Sequence, residues 1–302
     1  MGQVSDGLRK AALAAGATLM ADCDVRGIAS DGTVSYTAHS PESADEVFEA
    51  EHVKGRFVLA NVSPVELEKL TGIKDVVPTA TKADGAQVKV NLLLKRLPKL
   101  KDANLDPVAA FGGTFHINES YNQLQTAFEQ ASSGEIPNPL PCEIYCHSLT
   151  DPTILSKELQ KQGAQTLTVF ALHTPHSLLS GKNNDEMREQ LTRAVLDSLN
   201  SVLDEPIEDL LMLDENGKPC IEAKTTQDLQ DALRLPGGNI FHGALEWPFV
   251  EDRDDLSSPA RRWGVATKQE NLLVCGSGAR RGGAVSGIAG HNAAMAVLER
   301  IS

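Results

Sequence analysis

The amino-acid sequence predicts an α/β protein, and three stretches point there. Residues 88–94 alternate, with Val88, Val90, Leu92 and Leu94 on one side and Lys89 and Asn91 on the other. Met187, Leu191, Val195, Leu199 and Val202 recur at helical spacing through 185–203. Near the C-terminus an apolar run, "NLLVC", enters a glycine-rich turn and then an alanine-rich segment. Period two marks a strand with one buried face, and a period near 3.6 marks an amphipathic helix.

The elements follow in order. Val4, Leu8, Ala11, Ala12 and Ala15 predict a first helix, with Gly16 placed to end it. "ATLMADCDVRGIAS", the Asp31-Gly32 pair and "TVSYTAH" read as strand, short link, strand, turn and strand. After a polar, acidic stretch from Ser40 to Glu51, "VKGRFVLAN" reads as one further strand closing at Asn61. Ser63-Pro64 then starts the helix "PVELEKLTG". Beyond it the texture changes to longer elements. These are the strand at 88–94, a helix capped by Ser120 with Leu124, Ala127, Phe128 and Ala131 on one face, the strand "QTLTVFALH", and the helix from Asp185 to Leu203. The texture divides the chain into 1–62, 63–239 and 240–302: it leaves one domain, builds an α+β second one, and returns.

Composition narrows the partners. There are 28 Lys and Arg against 41 Asp and Glu, a formal charge of −13, which repels phosphate backbones, so nucleic acid is not expected. No apolar run approaches the roughly 20 residues of a spanning helix. Cys23, Cys142, Cys146, Cys220 and Cys275 are odd in number and scattered, which suits a reducing compartment: the cytoplasm, or alternatively the mitochondrial matrix. Cys142, Cys146 and His147 have a ligand-like spacing, but "CEIYCHSL" alternates as a strand and is read as core packing, so no metal is expected. His116, His147, His173, His176, His242 and His291 are read as structural, and Asn118-Glu119-Ser120 as a helix cap rather than a glycosylation acceptor.

The chemistry is concentrated in "CGSGARRGGAVSGIAGHNAA". Gly276, Ser277 and Gly278, then Gly282 and Gly283, connect a strand to a helix starting near Ser286-Gly287. Glycines let a ligand lie against bare backbone, and the free N–H groups and dipole of the helix start favour an anion. The same pattern also serves a tight turn with close helix packing.

Four blocks in order, "GQVSDGLRKAALAAGATLMADCDVRGI", "VKVNLLLKRLP", "LPGGNIFHGAL" and "ENLLVCGSGARRGGAVSGIAGHNAAMAVLE", resemble the phytoene desaturase-like FAD-dependent oxidoreductases, nearest to their pyridine nucleotide-disulfide oxidoreductase domain-containing branch. The resemblance implies a partial FAD-binding domain of the amine oxidase and glutathione reductase kind, with an inserted α+β substrate domain. It implies FAD as cofactor, and dehydrogenation of a small hydrophobic or amine-like substrate. The turn from Gly276 through Ser277, Gly278, Gly282 and Gly283 to Gly287 and Ile288 would then follow the flavin and its ribityl chain, and the Val25 backbone would meet the adenine. Catalytic side chains are not specified.

Departures bear on this. Relatives carry His-Pro and three glycines where this chain has Arg280-Arg281-Gly282-Gly283-Ala284, and "SKELQKQG" stands where relatives have a shorter loop. The strand-GxGxxG-helix unit that grips the FAD pyrophosphate is absent from the sequence. The expectation is therefore a truncated chain that needs an N-terminal segment or partner chain, with a non-catalytic interaction or regulatory remnant as the alternative.

Overall fold

A computed structural model describes residues 2–38, 50–78, 84–244, 247, 252–280 and 286–302. Along the chain run α1 (Gly2–Ala14), β1 (Cys23–Ile28), β2 (Thr33–Ala38), β3 (Glu51–Lys54), β4 (Val58–Ala60) and α2 (Pro64–Thr71). There follow β5 (Gln87–Leu94), α3 (Pro107–Phe111), β6 (Thr114–Ile117), α4 (Tyr121–Ser132), β7 (Cys142–Tyr145), α5 (His147–Thr150), α6 (Lys157–Lys161), β8 (Gln165–Leu172) and α7 (Asn184–Asn200). The last elements are α8 (Ile207–Leu210), β9 (Ile221–Lys224), α9 (Thr226–Leu233), α10 (Pro259–Arg262), β10 (Leu272–Val274) and α11 (Ile288–Ile301). The architecture is mixed α/β. Two compact units form, Met1–Ala80 with Glu246–Ser302, and Thr81–Leu245 between those segments. The expected boundary after residue 62 falls inside the first unit, because α2 inserts Leu67, fully buried, into that unit's core.

In the first unit, β1, β2 and β3 make an antiparallel sheet, while β4 pairs in parallel with β10. The single strand expected over 53–61 is therefore two strands in two sheets. Gly55 marks the break: its N–H donates to the Gly32 carbonyl, and a Cβ there would sit 2.8 Å from the Phe57 carbonyl oxygen. The strand expected within "ATLMAD" does not form; Leu19 and Met20 are exposed coil. Helix α1 forms as its spacing predicts, and Gly16 follows its end with φ +88°, yet it buries no residue and leaves Val4 and Leu8 exposed. Leu67, Val76, Val265, Leu272, Leu273 and Ala293 centre the core.

In the second unit five antiparallel strands lie in the order β6-β7-β8-β5-β9. The alternation read from 88–94 holds: Val88, Val90, Leu92 and Leu94 are buried and pack with Leu191, Val195 and Leu199 of α7. Helix α4 is closed by the expected cap, with Ser120 accepting from the Gln123 amide and the Gln123 side chain accepting in return from the Ser120 amide. Phe128, placed on its buried face by spacing, is instead exposed. The opposite face of the sheet is polar. Across it Thr168 donates to the Asn91 side-chain oxygen at 3.0 Å, and the Asn91 amide donates to Glu222 at 3.0 Å.

Candidate functional site

The parallel pair positions the site. Leu272, Leu273 and Val274 of β10 are buried opposite Val58, Leu59 and Ala60 of β4. Parallel strands end side by side, and here each feeds a helix. After β4, Ser63 accepts from the Glu66 amide at 3.2 Å and caps α2, whose first residue is Pro64. After β10 the chain turns through Gly276, Ser277 and Gly278 and reaches α11, where Gly287 takes φ +71° at the N-cap and Ser286 accepts from the Ile288 amide. Gly290, in the first turn of α11, lies against the Cys275 carbonyl, a Cβ on it falling 3.8 Å from that oxygen. The helix start and the strand end thus meet at one place, the arrangement that receives ligands in open α/β sheets.

Two of the predicted glycines have a reason within the chain. The Asn61 side-chain oxygen fills the space that a Cβ on Gly276 would take, and a Cβ on Gly278 would lie 2.6 Å from Cδ of Pro64. The Gly276 carbonyl and the later amides are engaged, the Ala279 N–H donating to the Gly276 carbonyl and the Arg280 N–H to the Gly264 carbonyl. By contrast, the amides of Gly276, Ser277, Gly278 and Gly290 find no acceptor among the described residues. Four donors at one strand end, beside the positive end of a 14-residue helix, suit an oxygen-rich anionic or carbonyl-bearing group. Burial raises the Cys275 thiol above its ordinary value.

Helix α11 is anchored by contacts the sequence did not announce. The Asn292 amide donates to the Trp263 carbonyl at 3.1 Å, while the Trp263 indole N–H and Arg262 both donate to Glu299, at 2.9 and 2.6 Å. The helix buries one stripe through Ala289, Asn292, Ala293 and Ala296, while Ile288, Leu298 and Ile301 stand about half exposed.

Of the predicted site residues, Gly276, Ser277 and Gly278 come together with Gly287 and Ile288 at the ends of one connection. Gly282 and Gly283 lie outside the described residues. Val25 sits in the antiparallel sheet, paired with Tyr36 next to a bulge, and leans on the same core. Cys142 and Cys146 face the core of the second unit, where burial pushes the Cys142 thiol up to about 12. All five cysteines are free thiols.

The second unit adds a groove of about 450 Å³ on the polar face of its sheet, lined in part by Asn91, Leu93, His147, Ile154, Thr168 and Glu222. Sequence reading missed it because its residues come from β5, β8, β9 and the segment after β7. The polar half of the β5 alternation was the available signal. Among the described residues no helix is long and apolar enough to cross a membrane.

No family model matches the chain. It is 55% identical over 298 residues to uncharacterized proteins of Mycobacterium tuberculosis and Mycobacterium bovis, covering 99% of this chain and 54% of theirs. It is 30% identical over 322 residues to the rat pyridine nucleotide-disulfide oxidoreductase domain-containing protein 2, covering 99% of this chain and 50% of that protein, and 29% identical over 320 residues to the mouse protein of that name. The chain spans about half the length of the curated relatives it matches, and through the rodent proteins it is distantly similar to a protein named for a redox domain.

Proposed function

We propose that the chain is the substrate-binding and C-terminal flavin-contacting portion of an FAD-dependent oxidoreductase that dehydrogenates a hydrophobic or amine-like substrate. The first unit is then part of the FAD domain and the second unit the substrate domain. One observation carries this reading: the amides of Gly276, Ser277, Gly278 and Gly290, which find no acceptor among the described residues, lie where β10 ends and α11 begins. The oxidoreductase name of the rodent relatives supports it.

Bound FAD supplies the hydride acceptor, so no side-chain acid or base is needed at the reacting carbon. The chain's own part is to hold and orient. The turn amides donate hydrogen bonds to cofactor oxygens, the α11 dipole favours negative charge there, and Asn292 and Glu299 hold the helix against α10 and Trp263. The groove beside Asn91 and Glu222 offers an apolar wall at Leu93 and Ile154 together with a carboxylate suited to an amine.

The exposed apolar residues of the first unit fit a covering segment or partner chain: Val4 and Leu8 of α1, Leu59 of β4, and Ile288 and Leu298 of α11. The free thiols fit a reducing compartment, the cytoplasm or the mitochondrial matrix.

The test is a polypeptide extended at its N-terminus to the length of the mycobacterial relatives and purified gently. Flavin absorbance near one FAD per chain, bleached by a substrate under anaerobic conditions, supports the reading; a colourless protein that takes up no FAD removes it. A second reading, a non-catalytic interaction protein, is favoured by Gly276 and Gly278, whose bare backbone is required by Asn61 and Pro64 with or without a cofactor. Stable complex formation by a protein that binds no flavin would select it.

A further inference from the structure

We propose that the second unit carries a divalent metal site made by His116, Glu119 and Glu143, a Zn²⁺-type centre with one imidazole and two carboxylates. The site concerns this unit alone and stands whether or not the flavin reading does.

The sheet builds the site from opposite sides. His116 and Glu143 are direct cross-strand partners in the β6–β7 pair. The residues flanking them, Ile117, Cys142 and Ile144, point into the core, so both side chains stand on the open face. After β6, Asn118 takes φ +58° and its side-chain amide donates to the Leu140 carbonyl at 3.0 Å. That reversal returns Glu119 over the strand, with its carboxylate 2.7 Å from His116 Nδ1. One ligand atom from each of the three residues lies within 4.8 Å of the other two. Nitrogen and oxygen ligands bound about 2.0–2.2 Å from one tetrahedral ion are roughly 3–4 Å apart, so small rotamer adjustments close the shell.

The charges call for a cation. Two carboxylates meet here, and among the described residues neither Glu119 nor Glu143 has a Lys or Arg within ion-pair distance. Glu119 Oε1 is shut off from solvent and has no hydrogen-bond donor. A buried carboxylate oxygen in that state is costly unless something positive lies against it. The Tyr145 hydroxyl donates to Glu143 at 3.1 Å, an outer contact of the kind that aims a metal-ligating carboxylate. The mixed N and O donors, without thiolate, suit Zn²⁺ or Mn²⁺, and three protein ligands leave a position for water.

The experiment uses the chain stripped with EDTA and titrated with Zn²⁺ in competition with a chromophoric chelator, then repeated with Mn²⁺. One ion of either metal per chain is expected. His116→Ala, Glu119→Gln and Glu143→Gln should each weaken binding at least about ten-fold, while His52→Ala, at an exposed histidine of the other unit, leaves it unchanged. Glu143 lies on the sheet surface, so Glu143→Gln reads the site even if a change at His116 or Glu119 lowers the far-UV circular dichroism. Zinc-edge absorption should show nitrogen and oxygen neighbours and no sulfur. Neither metal binding at concentrations of about 10 µM, binding untouched by all three substitutions, or sulfur in the shell would each overturn the proposal.

Discussion

The Asn61 side-chain oxygen occupies the place that a Cβ on Gly276 would need, so the first residue of one strand-helix connection keys into the first glycine of the other. Two residues along, Gly278 makes the same kind of contact with the Pro64 ring. The cost of filling each space depends on how freely the neighbour can move.

Gly278→Ala is expected to destabilise the first unit by about 1–3 kcal/mol, because Pro64 is buried, has a fixed ring and begins α2. Gly276→Ala should cost less, since Asn61 is exposed and can rotate aside. Asn61→Ala should then recover most of the Gly276→Ala loss and none of the Gly278→Ala loss. Denaturant unfolding of the single and double variants checks this, and equal losses at both glycines would contradict it.

Ser63→Ala should lower stability by about 1 kcal/mol, because it leaves the Glu66 amide at the start of α2 without its cap. Ser63→Asp should largely restore it, as a carboxylate also caps and faces the positive end of the helix. Thermal unfolding of the two variants reads the difference.

Acid should weaken the second unit through Asp228. Burial alone would raise its carboxyl, but Arg188, the Thr225 amide and Asn184 outweigh burial and hold it at about 2. Its folded value is thus below the value near 3.9 of an unfolded chain, so the unfolded state binds the proton first as pH falls. The contribution, about 2 kcal/mol, is complete above roughly pH 5 and is lost between about pH 4 and pH 2. Asp228→Asn should destabilise the chain at pH 7 and flatten that part of the pH profile. An unchanged acid slope in the variant would contradict the assignment.

The 302-residue chain alone is expected to hold FAD more weakly than about 1 µM, since the turn and α11 provide only part of a cofactor grip. Isothermal titration of the chain with FAD reads this, and sub-micromolar affinity would contradict it.

Periodicity made the second unit's elements legible. Strand β5 and helix α7 each bury one face, and α4 announces its cap at Ser120. Spacing alone did not reveal which strands pair. Residues 53–61 read as one strand because Val53, Phe57 and Leu59 look continuous, whereas Gly55 breaks the run and sends its halves into different sheets. Phe128 read as part of a buried face because apolar spacing marks a face without naming what covers it. At the site, the glycines were visible, but their keying into Asn61 and Pro64 was not, since those partners lie more than 200 positions away in the sequence. His116 looked solitary because its partners arrive through chain reversals that spacing does not show: Glu143 across the pairing of β6 with β7, and Glu119 through the turn at Asn118.

The most direct measurement is a crystal structure of the N-terminally extended polypeptide purified with FAD, read at the Ser277, Gly278 and Gly290 amide nitrogens. At least two of them should lie within about 3.2 Å of cofactor oxygens, close to the N-terminus of α11. A flavin seated elsewhere, with those nitrogens bonded to the protein's own groups or to water alone, would contradict the reading.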